Sequence, residues 1–418
     1  MGSFDINRLK EKPYFNNNGW WVCPFNFVEE TRKDFVGKKI TIHDVTLRDG
    51  EQTIGVSFSP DERVRIAEAL DGMGVPRIEV GMPIASPEIL EGIKRVMKRN
   101  LSAEPILFIR TLKDDIDVSI DCGAKTVILE HTTNPYACQA GYGLDKAQVI
   151  DRLVSCALYA KEKKLKTIFM GWDLTRGDDL DFIKDVYTAV VREGHVDGVV
   201  VVDTFGVALP KTIRFIFRKF REWIPSVSLE FHTHNEFGLA NAAILEAVAE
   251  GATVIHTAIN GLGDRTGNAA TEEVVMMLEL LGGLKTGIEF GKLKDVSLLV
   301  ENISGRKVPS NKPIVGQGLT YLETGIGVDL RKKMTKAGFN LVVEPFMLSL
   351  VGQDPLKLVL GKNSGTATIE YFLDKLGLQA TKDHVKEITD RVKREGRIQS
   401  ALLTESQFAK IVKDVIPG

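Results

Sequence analysis

The stretch DGVVVVD, residues 197–203, is an uninterrupted apolar, β-branched run bounded by two aspartates. Such a run predicts a strand buried on both faces, as strands of parallel sheets are. Helical patterns stand on both sides of it, at residues 179–194 and 210–223. The stretch therefore indicates an α/β protein whose parallel strands are joined by right-handed helical crossovers.

The same rhythm extends in both directions from this stretch. Eight apolar, β-branched runs occur at 38–45, 77–81, 105–110, 125–131, 166–173, 197–203, 228–234 and 253–259. Helical patterns lie between them at 59–74, 144–164, 179–194, 210–223 and 241–251, with a weaker one at 111–123. Eight βα units in roughly 245 residues predict a (β/α)₈ TIM barrel. An open, doubly wound sheet is the rival, but the glycine-rich first turn expected of it is missing.

The pattern divides the chain into three segments. Residues 1–37 are irregular and rich in aromatic side chains, and residues 38–285 form the predicted catalytic barrel. Residues 286–418 contain a Pro/Gly-punctuated linker followed by helical patterns at 366–378, 382–396 and 404–416. We therefore expect an N-terminal extension, a barrel and a smaller, mainly helical C-terminal region.

Composition narrows the class of protein. The 418 residues are 44% hydrophobic and 26% charged, with a formal net charge of −2, which gives no electrostatic footprint for nucleic acid or an anionic membrane. No apolar run is long enough to span a bilayer, and the start lacks the apolar core of a secretion signal. The four cysteines form no CxxC pair. These features predict a cytoplasmic protein with reduced thiols that binds neither nucleic acid nor a membrane.

Polar residues gather where the predicted strands end, which is where TIM barrels carry their chemistry. The first strand leads into DVTLRDGEQ, the seventh ends in HTH, and the eighth is followed by NGLGDRTGN. The candidate site residues taken from these ends are Asp44, Arg48, Asp49, Gln52, Glu79, Glu130, Thr204, His232, His234 and Asn268.

A metal centre is the sharpest prediction among these residues. Period-two spacing places the side chains of His232 and His234 on one face of a strand. Taken alone, this pair suits packing as well as metal binding. In a closed barrel, however, Asp49 after the first strand lies near the seventh, and two imidazoles with a carboxylate are a recurrent catalytic metal arrangement. Asn268 could add a neutral amide oxygen.

Other candidates keep two interpretations. Arg48 either forms a salt bridge at the rim of the barrel or donates hydrogen bonds to a carboxylate or enolate oxygen of the substrate. We favour the second interpretation. Glu130 is either a buried structural acid or a general base. Asp264 and Arg265 could simply pair with each other. His43 and His256 lie inside strands and are predicted to be core groups or groups that support the metal ligands.

Three motifs in order resemble one family. TLRDGEQ, HTHN and GLGDRTGNA resemble the metal-dependent acyl-CoA enzymes that include 2-isopropylmalate, homocitrate and citramalate synthases and 3-hydroxy-3-methylglutaryl-CoA lyases. The resemblance covers about residues 38–285. It implies a divalent cation (Mg²⁺, Mn²⁺ or Zn²⁺) on Asp49, His232 and His234, with Asn268 nearby.

The resemblance also implies roles for the residues around the cation. Arg48 would stabilise the developing oxyanion, Gln52 would help to orient it, and Thr204 would hold the carboxylate of a 2-oxo acid. Glu130 matches a substrate-contacting acid of citramalate synthases in VILEHTTNP. Glu79 and Asp44 are further candidates for substrate binding. The lyases carry a catalytic cysteine after strand eight that this chain lacks, which favours the synthases, although Asp264 stands where they usually have Glu.

The C-terminal region departs from the synthase pattern. Leu322, Gly327 and Asn363 occupy positions where those synthases have histidines, in the motifs TYLETGIGVD and LVLGKNSG. In the synthases this region supplies an acid/base group, with a partner subunit as the expected donor, so a homodimer is expected here. Neither Leu nor Gly can transfer a proton. Glu130, Tyr321 or Asp329 has taken over, or the substrate or reaction direction differs.

The leading hypothesis is therefore an acyltransferase of the 2-isopropylmalate synthase type that condenses an acyl-CoA, with acetyl-CoA the expected co-substrate, with a 2-oxo acid. The reverse reaction, catalysed by a lyase or aldolase, is the close rival. A non-haem iron oxygenase would share the ligand triad, but an antiparallel β-sandwich would be expected there. A non-catalytic metabolite-binding relative would explain the missing histidines, but not the retained Arg48 and Asp49.

Overall fold

Eight parallel strands close into a barrel in the computed structural model, which describes residues 6–10 and 12–416. The last strand pairs with the first, and otherwise each strand pairs with its neighbours in sequence. The strands are β1 Thr41–Asp44, β2 Arg77–Gly81, β3 Glu104–Arg110, β4 Thr126–Thr132, β5 Lys166–Trp172, β6 Gly198–Asp203, β7 Ser228–Thr233 and β8 Val254–Thr257. The predicted (β/α)₈ fold class is confirmed.

Helices follow the strands, as parallel pairing requires. They are α1 Pro60–Gly72, α2 Pro87–Met97, α3 Lys113–Asp121, α4 Lys146–Glu162, α5 Leu180–Arg192, α6 Pro210–Trp223, α7 Ala240–Ala249, α8 Thr271–Met276 and α9 Leu293–Ser304. Caps fix several of their starts. The Ser59 hydroxyl accepts a hydrogen bond from the backbone N–H of Glu62, and the Glu62 carboxylate accepts one from the backbone N–H of Ser59. Pro60 occupies the first turn of the helix.

The interior of the barrel has two unlike halves. Strands β3 to β6 fill their half with apolar side chains, namely Ile106, Ile128, Ile168, Met170, Val200 and Val202. Strands β7, β8, β1 and β2 instead turn charged and imidazole side chains inward, namely Glu230, His232, His256, His43 and Glu79, all of them buried. A polar group buried in this way costs free energy unless it finds a partner, so the second half must be internally paired.

The chain separates into two compact units. One spans residues 25–308 and contains the barrel with its helices, and the other combines the described parts of residues 1–24 and 309–418. The division made from the sequence, with boundaries after residues 37 and 285, stays a prediction. The aromatic segment is divided between the units: residues 25–37 belong to the barrel unit, and Trp21 belongs to the second unit, where its ring stacks on Phe339 at 5.3 Å.

The second unit is mainly helical, with α10 Gly325–Lys336, α11 Thr366–Lys375, α12 Lys382–Gln399 and α13 Glu405–Val415. The last three surround an apolar core that includes Ile369, Phe372, Ile388, Val392 and Phe408. Two short strands, Tyr321–Leu322 and Lys357–Leu358, pair in parallel beside it. The predicted helical C-terminal region is therefore present.

Within the described residues, every helix is either too short or too polar to cross a bilayer. All four cysteines are free thiols, and Cys122, Cys138 and Cys156 are buried.

Candidate functional site

Three side chains converge at the carboxyl ends of β1 and β7. The Nε2 atoms of His232 and His234 lie 3.7 and 3.8 Å from Oδ2 of Asp49, and 3.3 Å from each other. All three side chains are buried. The two imidazole nitrogens and the carboxylate oxygen therefore face one small volume in which a single cation could be bound.

Local structure explains how residues so far apart in sequence meet. His232 lies within β7 and His234 just after it, so alternation points both rings to the barrel axis. Asp49 stands in the loop after β1, and this loop is fixed by the fully buried Arg63. The Arg63 guanidinium donates to the carbonyl of Leu47 at 2.6 Å and pairs with Glu51.

The loop after β8 closes on the same carboxylate. Nδ2 of Asn268 donates to Oδ1 of Asp49 at 2.7 Å, whereas Oδ2 is the oxygen that faces the two imidazoles. Gly263 makes this close approach possible, because its φ is +153° and a Cβ there would lie 2.8 Å from Oδ1 of Asp49. Asn268 thus orients Asp49 here, and its role as a fourth ligand stays a prediction.

The electrostatics keep these groups in the forms that bind cations. Burial lowers the pKa of His232 well below its ordinary value, which keeps the imidazole neutral. Burial alone would raise the pKa of Asp49, but the charge of Arg48 and the hydrogen bond from Asn268 act in the opposite direction, and that pKa lies well below the usual range. An ionised carboxylate beside two imidazoles is a donor set that suits Mn²⁺ or Zn²⁺.

A cavity of about 510 Å³ opens beside these three side chains. Its walls come from the ends of several strands and the loops after them: Arg48, Asp49, Gln52, Phe108, Glu130, Met170, Trp172, Val202, Thr204, Phe205, His232, His234, Asp264 and Arg265. Predicted catalytic and metal-binding residues therefore share one chamber. A second cavity of about 410 Å³ also has Arg48 and Gln52 in its wall.

Arg48 is held rigidly at the cavity wall. Its Nη1 donates to Oδ2 of Asp49 at 2.7 Å, its Nε donates to Glu79, and its guanidinium lies 4.1 Å from the centre of the Phe108 ring. Its Nη2 is buried without a hydrogen-bond partner among the described residues. The guanidinium thus keeps one donor for a group that enters the cavity.

Glu130, at the carboxyl end of β4, presents an unused carboxylate oxygen. Its Oε1 is buried and has no hydrogen-bond partner among the described residues. Burial raises the pKa of Glu130 to about 7, although Arg48 acts in the opposite direction. A carboxyl group that titrates near neutrality beside a cavity can both accept and return a proton.

Thr204 also lines the cavity, and its Oγ1 accepts a hydrogen bond of 2.7 Å from the backbone of Asp173. The hydroxyl proton therefore remains available to a ligand. Arg265, which follows β8, pairs with Asp264 at 2.7 Å and with Glu236 at 2.6 Å, and it donates to the carbonyl of Thr204. The predicted pair of Asp264 and Arg265 is present.

Two predicted substrate contacts lie elsewhere. Asp44 and Glu79 are fully buried and are absent from the described lining of this cavity. Oδ1 of Asp44 accepts from the backbone of Thr46, and Glu79 binds Arg48 and His43. Their role in substrate binding stays a prediction, since in this structure both contact protein groups.

Sequence reasoning overlooked the apolar wall of the cavity. Phe108, Met170 and Trp172 reach it from β3 and β5. Each of the three lies within two residues of the carboxyl end of its strand, which could have indicated a place in the cavity wall. An apolar residue in an apolar run, however, has the same pattern as a core residue.

The positions that lack histidines meet in the second unit. Asn363 donates to Glu323 through its backbone, at 2.8 Å, and through its side chain. Gly327 has no room for a larger side chain, since a Cβ there would lie 2.9 Å from Oγ1 of Thr324 and 3.0 Å from Leu322. The Glu323 carboxylate is thus the acidic group that contacts Asn363 in this cluster. Asp329, an earlier candidate, is paired with Lys333 at 2.5 Å.

The closed barrel and its buried cluster define a TIM-barrel protein with a candidate divalent-cation centre at the carboxyl ends of its strands. Residues 39–300 match the HMGL-like family model, and the chain belongs to the HMGL-like family.

Relatives agree with this assignment over nearly the full chain. The chain is 35% identical to homocitrate synthase AksA of Methanothermobacter thermautotrophicus, over 95% of this chain and 98% of the relative. It is 39% identical to 2-isopropylmalate synthase of Methanocaldococcus jannaschii, over 90% of this chain and 72% of the relative. The crystal structure of hydroxymethylglutaryl-CoA lyase from Pseudomonas aeruginosa shares the fold, with a TM-score of 0.58 and 22% identity over 65% of this chain and 95% of that one.

Proposed function

We propose that this protein catalyses a divalent-metal-dependent Claisen condensation between an acyl-CoA, with acetyl-CoA the expected donor, and a 2-oxo acid. The observation that carries the proposal is the chamber in which Asp49, His232 and His234 converge beside the free donor of Arg48 and the free oxygen of Glu130. The names of the relatives support it, since they are homocitrate, citramalate and 2-isopropylmalate synthases.

The residues present fit a divalent cation. Two imidazoles and one carboxylate, all buried, offer three donor atoms to one point. We propose Asp49, His232 and His234 as the ligands, with Asn268 orienting Asp49 and remaining the candidate for a fourth. A bound cation would act as a Lewis acid that polarises the ketone of the 2-oxo acid.

Glu130 is the proposed base. Its carboxylate would remove a proton from the α-carbon of the acyl-CoA, and the resulting enolate carbon would form a bond to the ketone carbon of the 2-oxo acid. The π electrons of the ketone move to its oxygen, where Nη2 of Arg48 donates a hydrogen bond to the developing charge. Glu130 would then give up the proton it had accepted, and the alkoxide would take up a proton to become the hydroxyl group of the product. Hydrolysis of the thioester by water then releases CoA as the free thiol and leaves a new carboxylate.

The remaining polar groups of the chamber are proposed to orient the substrates. The Thr204 hydroxyl would donate to the carboxylate of the 2-oxo acid, and Gln52 would orient the reacting oxygen. Since Arg48 and Gln52 border both cavities, the two substrates could approach this pair from different sides. We further propose a cytoplasmic homodimer of the 2-isopropylmalate synthase type, because the resemblance to those synthases implies that residues 286–418 complete the site of a partner subunit.

A substrate panel tests the proposal directly. The full-length protein, incubated with acetyl-CoA, Mn²⁺ or Mg²⁺ and single 2-oxo acids, should release free thiol that a thiol reagent detects. Release should depend on both the 2-oxo acid and the cation. If no 2-oxo acid gives thiol above the background of acetyl-CoA hydrolysis, the condensation is wrong.

The lyase direction is a second candidate, favoured by one observation. No imidazole stands at Leu322, Gly327 or Asn363, where the synthases carry histidines. Cleavage of a tertiary hydroxy acid or a 3-hydroxyacyl-CoA by the same Arg48 and Glu130 would need no such group. Detection of carbon–carbon cleavage products, without thiol release from any acyl-CoA and 2-oxo acid pair, would establish this direction.

A further inference from the structure

A second group of buried polar side chains lies inside the barrel, apart from the three proposed ligands. His43 of β1 and His256 of β8 are register partners whose rings stack at 4.1 Å, with 9° between their planes. Nε2 of His43 lies 3.0 Å from Oε2 of Glu79, and Nε2 of His256 lies 3.0 Å from Oε2 of Glu230. All four side chains are almost completely buried.

An arginine completes each end of this arrangement. Oε1 of Glu79 accepts from Nε of Arg48, and Oε1 of Glu230 accepts from Nη1 of Arg77 at 2.9 Å. We call the series Arg77, Glu230, His256, His43, Glu79 and Arg48 the interior ladder. Each half contains one guanidinium, one carboxylate and one imidazole, so each half is electrically neutral when its imidazole is neutral. In each half the carboxylate joins the guanidinium to the imidazole, and such buried hydrogen bonds restrict the positions of the side chains.

Geometry argues against a second cation between the two histidines. Imidazole binds a metal through a lone pair in the plane of the ring, at about 2 Å. Two rings stacked in parallel at 4.1 Å direct their lone pairs side by side, so a cation between them would lie well outside both planes. Each Nε2 moreover already has its own carboxylate at 3.0 Å.

The hydrogen bonds also assign the tautomers. A carboxylate accepts, so Nε2 of each imidazole carries the hydrogen and donates it. Burial lowers the pKa of His43 well below its ordinary value and that of His256 to about 4, in keeping with neutral rings. Both Nδ1 atoms are buried without a partner among the described residues. Each imidazole thus contributes one donor and one flat surface for stacking.

The interior ladder touches the proposed metal centre at two points. Glu79 holds Arg48, whose Nη1 holds Oδ2 of Asp49 at 2.7 Å. On the other side, the ring of His256 contacts the ring of His232 edge to face, at 5.5 Å and 82°. Nδ1 of His232 has no hydrogen-bond partner among the described residues, so ring packing is what orients this ligand. Metal-binding histidines are usually oriented by a hydrogen bond at that atom.

We propose that the stacked pair of His43 and His256 is a positioning device that fixes Asp49, through Glu79 and Arg48, and His232, through ring packing, and so sets the cation affinity of the centre. These residues touch neither substrate nor cation and act through others. The inference rests on the metal centre of the proposed function, but not on the condensation reaction.

Titration of the full-length protein with Mn²⁺ alone, without substrates, tests the proposal. His43→Phe keeps the stacking surface and removes the donor to Glu79, whereas His43→Gln places an amide N–H near the position of Nε2. We expect Mn²⁺ affinity to fall about 10–100-fold in His43→Phe, the usual range for a group behind a metal ligand, and about threefold or less in His43→Gln. Ile42→Ala, a neighbouring core change, should lower the melting temperature and leave the affinity unchanged.

Equal affinity in His43→Phe and wild type would overturn the proposal, as would an equal loss in the Phe, Gln and Ile42→Ala variants. His256→Phe and His256→Gln give the same comparison from the other side of the stack if a His43 variant does not fold. A wild-type protein that binds no Mn²⁺ would overturn this proposal together with the metal centre. If the expected order of affinities appears but no 2-oxo acid releases thiol, the positioning role stands and the condensation fails.

Discussion

The two halves of the barrel interior solve the same packing problem in opposite ways. Strands β3 to β6 fill their half with Ile, Val and Met, whereas β7, β8, β1 and β2 fill theirs with histidines, glutamates and arginines that pair with one another. An apolar half gains stability from burial without directional demands. A paired polar half gains little net stability, but it fixes side-chain positions. The difference indicates that the polar half mainly fixes the positions of side chains, whereas the apolar half mainly stabilises the fold.

This comparison predicts that substitutions near the polar half mainly lower the rate of the reaction, whereas substitutions in the apolar half mainly lower the free energy of unfolding. The chamber lies where the halves meet, with Glu130 and Phe108 on one side and Asp49 with the two histidines on the other.

The largest effect is expected at Glu130. Glu130→Gln removes the base while keeping the size of the side chain, so exchange of the acyl-CoA α-proton in deuterium oxide should slow about 10²–10⁴-fold. In the wild type, the base must be ionised, so exchange should rise with pH through about 7, the raised pKa of Glu130, and level off above it. Normal exchange in the variant, measured by NMR, would exclude Glu130 as the base.

The second-largest effect is expected for Arg48→Lys. Lysine keeps the positive charge but cannot bind Asp49, Glu79 and a substrate oxygen together, since it lacks the planar fork of arginine. We expect kcat to fall about 10²–10³-fold, the effect of losing an oxyanion donor. A kcat within a few fold of the wild type, in steady-state thiol release, would mean that charge alone suffices there.

The apolar half provides the counter-test. Ile128 is fully buried among the side chains of β3 to β6 and does not line the chamber. Ile128→Ala should lower the free energy of unfolding by about 2–5 kcal/mol, measured in urea, while kcat changes by no more than about twofold. A large loss of kcat in a folded variant would remove the distinction between the halves.

The smallest effect is expected at Thr204, which supplies a single neutral hydrogen bond. Thr204→Val should raise the KM for the 2-oxo acid about 5–10-fold, since such a bond is worth about 1 kcal/mol. Thr204→Ser keeps the hydroxyl and serves as the matched control. An unchanged KM in both variants would place the carboxylate of the 2-oxo acid elsewhere.

The sequence predicted the apolar half better than the polar half. Runs such as DGVVVVD identify strands because valine buried on both faces needs no partner, and β6 at Gly198–Asp203 agrees with that prediction to within a residue. Helix α2 was not identified, although Ser86 caps it and Pro87 opens it. Its apolar pattern is interrupted by Gly92, which packs against Arg63.

The polar half could not be read in the same way. His43, Glu79, Glu230 and His256 each stand alone in an apolar strand, and their pairing joins residues 26 to 36 positions apart. Period-two alternation says that such a side chain faces inward, but not which partner it meets. The sequence predicts Glu79 as a substrate contact but does not indicate that it also binds Arg48 and His43, as it does in the structure.

The central claim is that Asp49, His232 and His234 form one cation site. The direct test is the number of Mn²⁺ ions bound per chain by the wild type, His232→Ala and the control His195→Asn, which changes an exposed histidine whose φ of +53° asparagine tolerates. We expect one ion per chain in the wild type and in the control, and none in His232→Ala at the same free Mn²⁺ concentration. One ion per chain in His232→Ala would contradict the account.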